Sequence, residues 1–288
     1  MAGLLVNAAQ VAANPDWRIF DCRHDLSNPN SGRAAYDIGH IPHAIHLHLD
    51  RDMSAAITGR NGRHPLPDAE VFAARMAALG VSSQTQVVAY DGQGGVYASR
   101  LWWMLRWIGH DKVAVLDGGI GAWQKAGFAL DTDLPTSGAG DLRVQPSSDP
   151  TSYPKAVDTA AVLVNIQTAQ FQLIDARNAE RFAGHNETID PVAGHIPDAS
   201  NRFFQNNLDT TSGCFKSAEV LRAEFSALLG DTKASDVVHQ CGSGVTACHN
   251  LLAMEIAGLS GSRLYPGSWS EWCSDSSRPI AVGSPSTP

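Results

Sequence analysis

Apolar positions in this chain fall into short β-rich runs separated by stretches of helical period. The runs Ile19–Cys22, Gln86–Tyr90, Val113–Leu116, Gln172–Asp175 and Asp236–Gln240 predict strands. The patterns over Asp68–Leu79, Ala98–Ile108, Ser217–Leu229 and Val245–Ala257 predict helices. Short apolar strands alternating with helices specify an α/β architecture in which a mainly parallel sheet is flanked by helices. Ligands of such sheets bind beyond the carboxyl ends of the strands, where strand runs into helix. Asp91-Gly92 and Cys241-Gly242 are two such points.

The pattern occurs twice. Leu4–Val11 resembles Ala156–Val162, and Ile19-Phe20-Asp21-Cys22-Arg23 resembles Leu173-Ile174-Asp175-Ala176-Arg177. Gly39-His40-Ile41-Pro42-His43-Ala44 matches Gly194-His195-Ile196-Pro197-Asp198-Ala199, and Val87–Gly92 matches Val237–Gly242. Gly118–Trp123 (GGIGAW) matches Gly267–Trp272 (GSWSEW). The blocks are collinear, with offsets from 149 residues (Gly118 to Gly267) to 155 (Gly39 to Gly194). Five ordered matches mean two copies of one domain. We expect an N-terminal domain over 1–135, a linker over 136–155 and a C-terminal domain over 156–288. Asp131–Pro154, rich in Pro, Ser, Thr, Gly and Asp, reads as a linker packed over the surface, and Ser276–Pro288 as a loose tail.

Composition narrows the function. The 288 residues are 43% hydrophobic and only 17% charged, which fits a folded globular chain and excludes a disordered, solvating one. The net charge of −8, with no Lys/Arg run, argues against nucleic-acid or membrane partners held by charge. Five scattered cysteines form no disulfide scaffold and no C-x-x-C zinc pair. The first residues carry no basic segment ahead of an apolar one, and no apolar run is long enough to span a bilayer. A cytoplasmic, reducing location is therefore expected. His40, His43, His46 and His48 cluster in sequence, but His40 has a twin in His195, so no metal and no cofactor are expected. Trp102, Trp103, Trp107, Trp123 and Trp272 read as core.

The chemistry concentrates in Val237–Asn250 (VVHQCGSGVTACHN). A buried strand ends at Cys241, the turn Cys241-Gly242-Ser243-Gly244-Val245-Thr246 follows, and a helix begins at once. Gly242 and Gly244 let the backbone curl so that successive N–H groups point at the sulfur. The helix N-terminus adds its positive end, and both favour a nucleophilic thiolate. A phosphatase loop needs an Arg six positions after its cysteine, where this chain has Ala247.

With these motifs, the D-x-R pairs, both G-H-I-P turns and the G-S-W-S-E-W ending, nearly the whole chain resembles the tandem-domain rhodanese family of sulfurtransferases. The loop resembles the C-G-[ST]-G-V-T of the 3-mercaptopyruvate branch more than the C-R-K-G-V-T of the thiosulfate branch. The resemblance implies that Cys241 takes a sulfane sulfur from a small-molecule donor as a persulfide. It then passes the sulfur to cyanide or a thiol, thioredoxin among the thiol acceptors.

The resemblance further implies that Ser243 relays a proton with His64 and Asp50, and that Arg181 binds the donor carboxylate. Gly242, Gly244, Val245 and Thr246 would shape the substrate loop, and Tyr97 would wall its entrance. The family's second substrate arginine is missing from Gly184–Asp190 (GHNETID), which leaves His185, Asn186 or Arg202 to replace it. Asp91 replaces the nucleophile in the first copy, so that copy should be catalytically silent. Thiosulfate as donor, and a sulfur-carrier module without catalysis, are the competing readings.

Overall fold

A computed structural model describes residues 3–135, 138–145 and 155–283, in which the chain forms two compact units. Unit 1 takes the chain up to Ala55, from Leu66 into the linker, and Leu208–Phe215. Unit 2 takes Ala56–Pro65, the chain from the end of the linker to Asn207, and everything from Lys216 onward. His64, on the first copy by sequence, thus lies in the unit that carries Cys241.

In unit 1, β1 (Leu5–Val6), β2 (Arg18–Asp21), β3 (Ile45–His46), β4 (Val87–Tyr90) and β5 (Val113–Leu116) form one parallel sheet, in the order β1-β5-β4-β2-β3. In unit 2, β6 (Gln172–Asp175), β7 (Ser200–Asn201), β8 (Val237–Gln240) and β9 (Arg263–Leu264) form a second parallel sheet, β7-β6-β8-β9. Ala156 bridges to Leu264 in parallel, taking the place beside β9 that β1 holds beside β5. The two sheets therefore repeat one strand order, as the duplicated sequence requires.

The central strands β4 and β8 are buried at every residue, which is why they read as continuous apolar runs. Val88, Ala114, Ile19 and Trp123 pack into the core of unit 1, and Val238, Phe182, Tyr265, Trp269 and Trp272 into that of unit 2. Each large apolar side chain so buried contributes roughly 1.5–3 kcal/mol. Trp102 and Trp103 are fully buried, and Trp107 stacks on Trp103.

The helices begin where the sequence provides caps. Asp68 accepts the N–H groups of Glu70 and Val71 ahead of helix Ala69–Ala78, and Ser217 accepts that of Val220 ahead of Ala218–Leu229. Among the described residues no helix is long and apolar enough to cross a membrane.

The paired motifs are scaffold. Arg23 grips Asp21 and donates to the Gly39 carbonyl at 2.8 Å, and Arg177 does the same with Asp175 and Gly194 at 2.8 Å. His40 stacks on Tyr36, and its twin His195 on Phe182, each with Nδ1 at a backbone carbonyl.

The described start of the linker lies on unit 1, where Gly140, Leu142 and Gln145 donate to the carbonyls of Ala77, Val81 and Ile108. Residues 146–154 fall outside the described residues. The expectation of a loose tail from Ser276 is corrected as far as residue 283. Ala281 pairs antiparallel with His195, and the Pro279 carbonyl accepts the Trp272 indole N–H. A polar composition hid these backbone hydrogen bonds; residues 284–288 fall outside the description.

Candidate active site

β8 delivers Cys241 to the carboxyl edge of the second sheet, and helix Thr246–Ile256 starts five residues later. Cys241 is 2% exposed. The segment that follows β9 holds its backbone. The Cys241 N–H donates to Ser268 Oγ at 3.1 Å, while the N–H groups of Trp269 and Ser270 donate to the carbonyls of Cys241 and Gly242. The G-S-W-S-E-W motif is thus a clamp on the loop. Gly244 has φ of +75°, and a Cβ there would stand 2.3 Å from the Pro266 carbonyl oxygen, so glycine is required.

Two groups of side chains meet this loop within unit 2. In one, His64, buried, places Nδ1 2.7 Å from Ser243 Oγ. In the other, the guanidiniums of Arg63 and Arg181 share the carboxylate of Asp190. Arg63 bonds through Nη1 to Oδ1, and Arg181 through Nη2 to Oδ2 at 3.0 Å. Glu187 accepts Arg181 Nε on both oxygens, at 3.1 and 3.0 Å. Burial, helped by the Glu187 charge, raises the carboxyl of Asp190 above its usual range against the pull of Arg63, Arg181 and Arg177. Burial also raises Glu187, but hydrogen bonds from Arg181 and the backbone outweigh it and leave Glu187 below the usual range.

None of the five cysteines is disulfide-bonded. Burial pushes the thiols of Cys22 and Cys214 up, and that of Cys273 up to about 11, so these three are poor nucleophiles near neutrality.

The Rhodanese-like domain profile matches residues 7–126 and 158–275. A probable 3-mercaptopyruvate sulfurtransferase of Pseudomonas aeruginosa is 44% identical over 284 residues, covering 97% of this chain and 98% of the relative. A putative thiosulfate sulfurtransferase of Mycobacterium tuberculosis is 34% identical, covering 97% of each. The structure of the 3-mercaptopyruvate sulfurtransferase from Leishmania major superposes with a TM-score of 0.81 at 30% identity, covering 93% of this chain and 74% of that one. The chain belongs to the tandem-domain rhodanese family. It is a sulfurtransferase.

Of the two rhodanese loops, the first holds a carboxyl group of its own. Asp91 stands where Cys241 stands in the second, and its buried carboxylate accepts four backbone N–H groups. These come from Gln93 at 2.8 Å, Gly95 at 2.9 Å, Tyr97 at 2.8 Å and Ala98 at 3.0 Å. Helix Ala98–Trp107 begins seven residues after Asp91, two later than in the cysteine loop.

The residues expected from the rhodanese resemblance fall into both units. Cys241, Gly242, Ser243, Gly244, Val245, Thr246, His64 and Arg181 all lie in unit 2. Asp50 and Tyr97 lie in unit 1. Asp50 sits in the short helix Leu49–Asp52, exposed, and donates its N–H to His48 Nδ1 at 3.1 Å. Tyr97 is buried, its ring edge-on to His24, and burial raises its phenol.

His24, His48 and Asp50 bring possible metal-ligand atoms within 4.8 Å of one another.

The atoms nearest a Cβ built on Gly242 belong to Arg63 and Arg181 and to none of the three stand-ins for the second arginine. Arg202 is engaged by Glu224, Asn207 and the Phe225 ring, Asn186 bonds Glu180, and His185 is exposed. Arg63 belongs to no motif of the sequence. Its one signal in the sequence is adjacency to His64.

Proposed function

We propose that the chain takes sulfane sulfur from 3-mercaptopyruvate as a persulfide on Cys241 and hands it to cyanide or a thiol, including a dithiol protein such as thioredoxin. The observation that carries this reading is the 2.7 Å distance between His64 Nδ1 and Ser243 Oγ, two residues from the thiol. A hydroxyl coupled to an imidazole suits a donor whose departure needs a proton, which thiosulfate does not.

In the proposed step the Cys241 thiolate attacks the sulfur of mercaptopyruvate. The C–S bond breaks, its electron pair stays on carbon as the enolate of pyruvate, and Cys241 is left as a persulfide. Ser243, relayed by His64, delivers the proton that turns the enolate into pyruvate. Asp50 is assigned as third member of the relay from its motif, Arg181 as partner of the carboxylate, and Tyr97 as a wall of the entrance. An acceptor thiolate or cyanide then attacks the outer sulfur and restores the Cys241 thiolate.

The N-terminal copy, residues 1–135, is proposed as catalytically silent, since the Asp91 carboxylate cannot accept sulfur. A cytoplasmic location is proposed because five cysteines without disulfides suit a reducing compartment.

Thiosulfate is the second reading, favoured by the relative of that name and by two guanidiniums beside the loop. The deciding experiment measures kcat/KM for both donors side by side, with mass spectrometry after donor alone. We expect the higher value for mercaptopyruvate and about 32 Da added to the Cys241 peptide, with Cys241→Ser abolishing both. A native preference for thiosulfate favours the second reading, and sulfur on another cysteine overturns the site.

A further inference from the structure

The loop residue beside the nucleophile is crowded by charge. A Cβ built on Gly242 would lie 2.8 Å from Arg63 Nη2, 3.5 Å from Arg181 Nη2 and 3.7 Å from Arg181 Nη1. The acids take one of these three nitrogens, Arg181 Nη2, and otherwise bond Arg63 Nη1 and Arg181 Nε. Asp190 takes Arg63 Nη1 and Arg181 Nη2, and Glu187 takes Arg181 Nε. Arg63 Nη2 and Arg181 Nη1, which take no part in these bonds, approach Gly242 from two guanidiniums.

Arg63 is fixed there at three points. Its side chain bonds Asp190, its own N–H donates to Ser270 Oγ at 3.0 Å, and the next residue, His64, meets Ser243. Ser270 in turn donates its N–H to the Gly242 carbonyl. Loop, clamp and arginine form one hydrogen-bonded body adjoining Cys241.

We propose that Arg63 is a substrate-binding residue, which with Arg181 forms a guanidinium pair, bridged by Asp190, that receives the carboxylate of a 2-oxo acid donor beside Gly242. The inference deepens the reading of mercaptopyruvate as donor and rests on it. Each carboxylate oxygen takes one nitrogen, from a different arginine. Mercaptopyruvate carries its carboxylate and its sulfur at opposite ends of a short carbon chain, so a carboxylate held at Gly242 leaves the sulfur within reach of the neighbouring Cys241. The cation that the family motif lacks after Arg181 is thus supplied from the segment Ala56–Pro65, whose proximity the sequence alone does not reveal.

The test compares the native protein, Arg63→Gln and Arg63→Lys. It measures KM and kcat for mercaptopyruvate and for thiosulfate, and the Ki of pyruvate, a 2-oxo acid without transferable sulfur, against whichever donor turns over. Arg63→Gln should raise the mercaptopyruvate KM and the pyruvate Ki about ten-fold or more, with kcat within about three-fold. Arg63→Lys should fall between, since lysine keeps the ion pair to Asp190 but offers no second nitrogen. If Arg63→Gln fails to fold, Arg63→Lys carries the same comparison. A pyruvate Ki equal in native and variant proteins, or no inhibition of either, overturns the inference. Native protein that ignores mercaptopyruvate, yet whose thiosulfate reaction pyruvate inhibits through Arg63, overturns the donor reading and leaves the carboxylate site standing.

Discussion

His64 Nδ1 and Ser243 Oγ stand 2.7 Å apart although 179 positions separate them in the chain. Both side chains are buried, so the hydrogen bond is shielded from competing water and holds the serine hydroxyl in one orientation. If the pair delivers the proton to the pyruvate enolate, Ser243→Ala should lower kcat for mercaptopyruvate by about 10²–10³. Thiosulfate leaves as sulfite without needing that proton, so its turnover should change by less than about ten-fold. Stopped-flow persulfide formation with each donor separates the two cases. Equal losses for both donors would assign the serine to loop structure instead.

Asp91 shows what the cradle at a rhodanese strand end does when it holds a carboxylate in place of a thiol. Four N–H groups converge on its carboxylate, and the group is fully buried. Asp91→Asn replaces one oxygen by an NH₂ group that faces two donors. That should cost about 2–4 kcal/mol of stability, read by urea unfolding. D91C should acquire no persulfide when treated with donor, because its loop is two residues longer than the one at Cys241 and lacks the Ser243–His64 pair. Sulfur found on the D91C peptide would show that a cysteine alone makes this loop competent.

Most of the fold was legible because the duplication was. β4 and β8 are continuous apolar runs ending in Asp91-Gly92 and Cys241-Gly242, and predicted strand and helix ends lie within about one residue of those observed. The turn after Cys241 was legible because glycines at alternate positions after a buried strand predict a tight entry into a helix. Arg63 was not, since its role depends on residues Ala56–Pro65 joining the unit of the second copy. No local periodicity encodes that. Glu187 and Asp190 were overlooked for a related reason. The family pattern calls for a cation within Gly184–Asp190, whereas the contribution of this segment is the pair of carboxylates that hold Arg63 and Arg181 in place.

His239, inside β8, should make the protein acid-sensitive. Burial first, and Arg202 second, push its pKa from 6.5 down to about 3. The unfolded chain therefore takes up a proton that the folded one refuses. Stability from this group is complete above about pH 6.5 and is lost as pH falls toward 3, with a limiting slope of about 1.4 kcal/mol per pH unit. In H239Q the urea midpoint should fall less steeply between about pH 6 and 4, by up to one proton's worth. Identical slopes in native and H239Q proteins would assign the acid sensitivity to other groups.

The two loop glycines should fail differently. Gly244 has positive φ and faces a backbone oxygen at 2.3 Å from a would-be Cβ, so Gly244→Ala has nowhere to relax. It should destabilise unit 2 by about 2–3 kcal/mol and abolish transfer, since the loop itself must move. Gly242 lacks positive φ, and a Cβ there meets only the far ends of two arginines. Gly242→Ala should therefore fold with a melting temperature within a few degrees of native, roughly 1 kcal/mol, while shifting Arg63 and raising the mercaptopyruvate KM. The same crowding bears on exchanging Gly242-Ser243 for the Arg-Lys pair of the thiosulfate branch. A third guanidinium beside Arg63 and Arg181 adds like-charge repulsion that glycine at 242 avoids. The double variant should gain thiosulfate turnover only when Arg63→Gly is added to make room. Kinetics of the double and triple variants on both donors decide it, and a double variant already proficient with thiosulfate would show that Arg63 yields its place without cost.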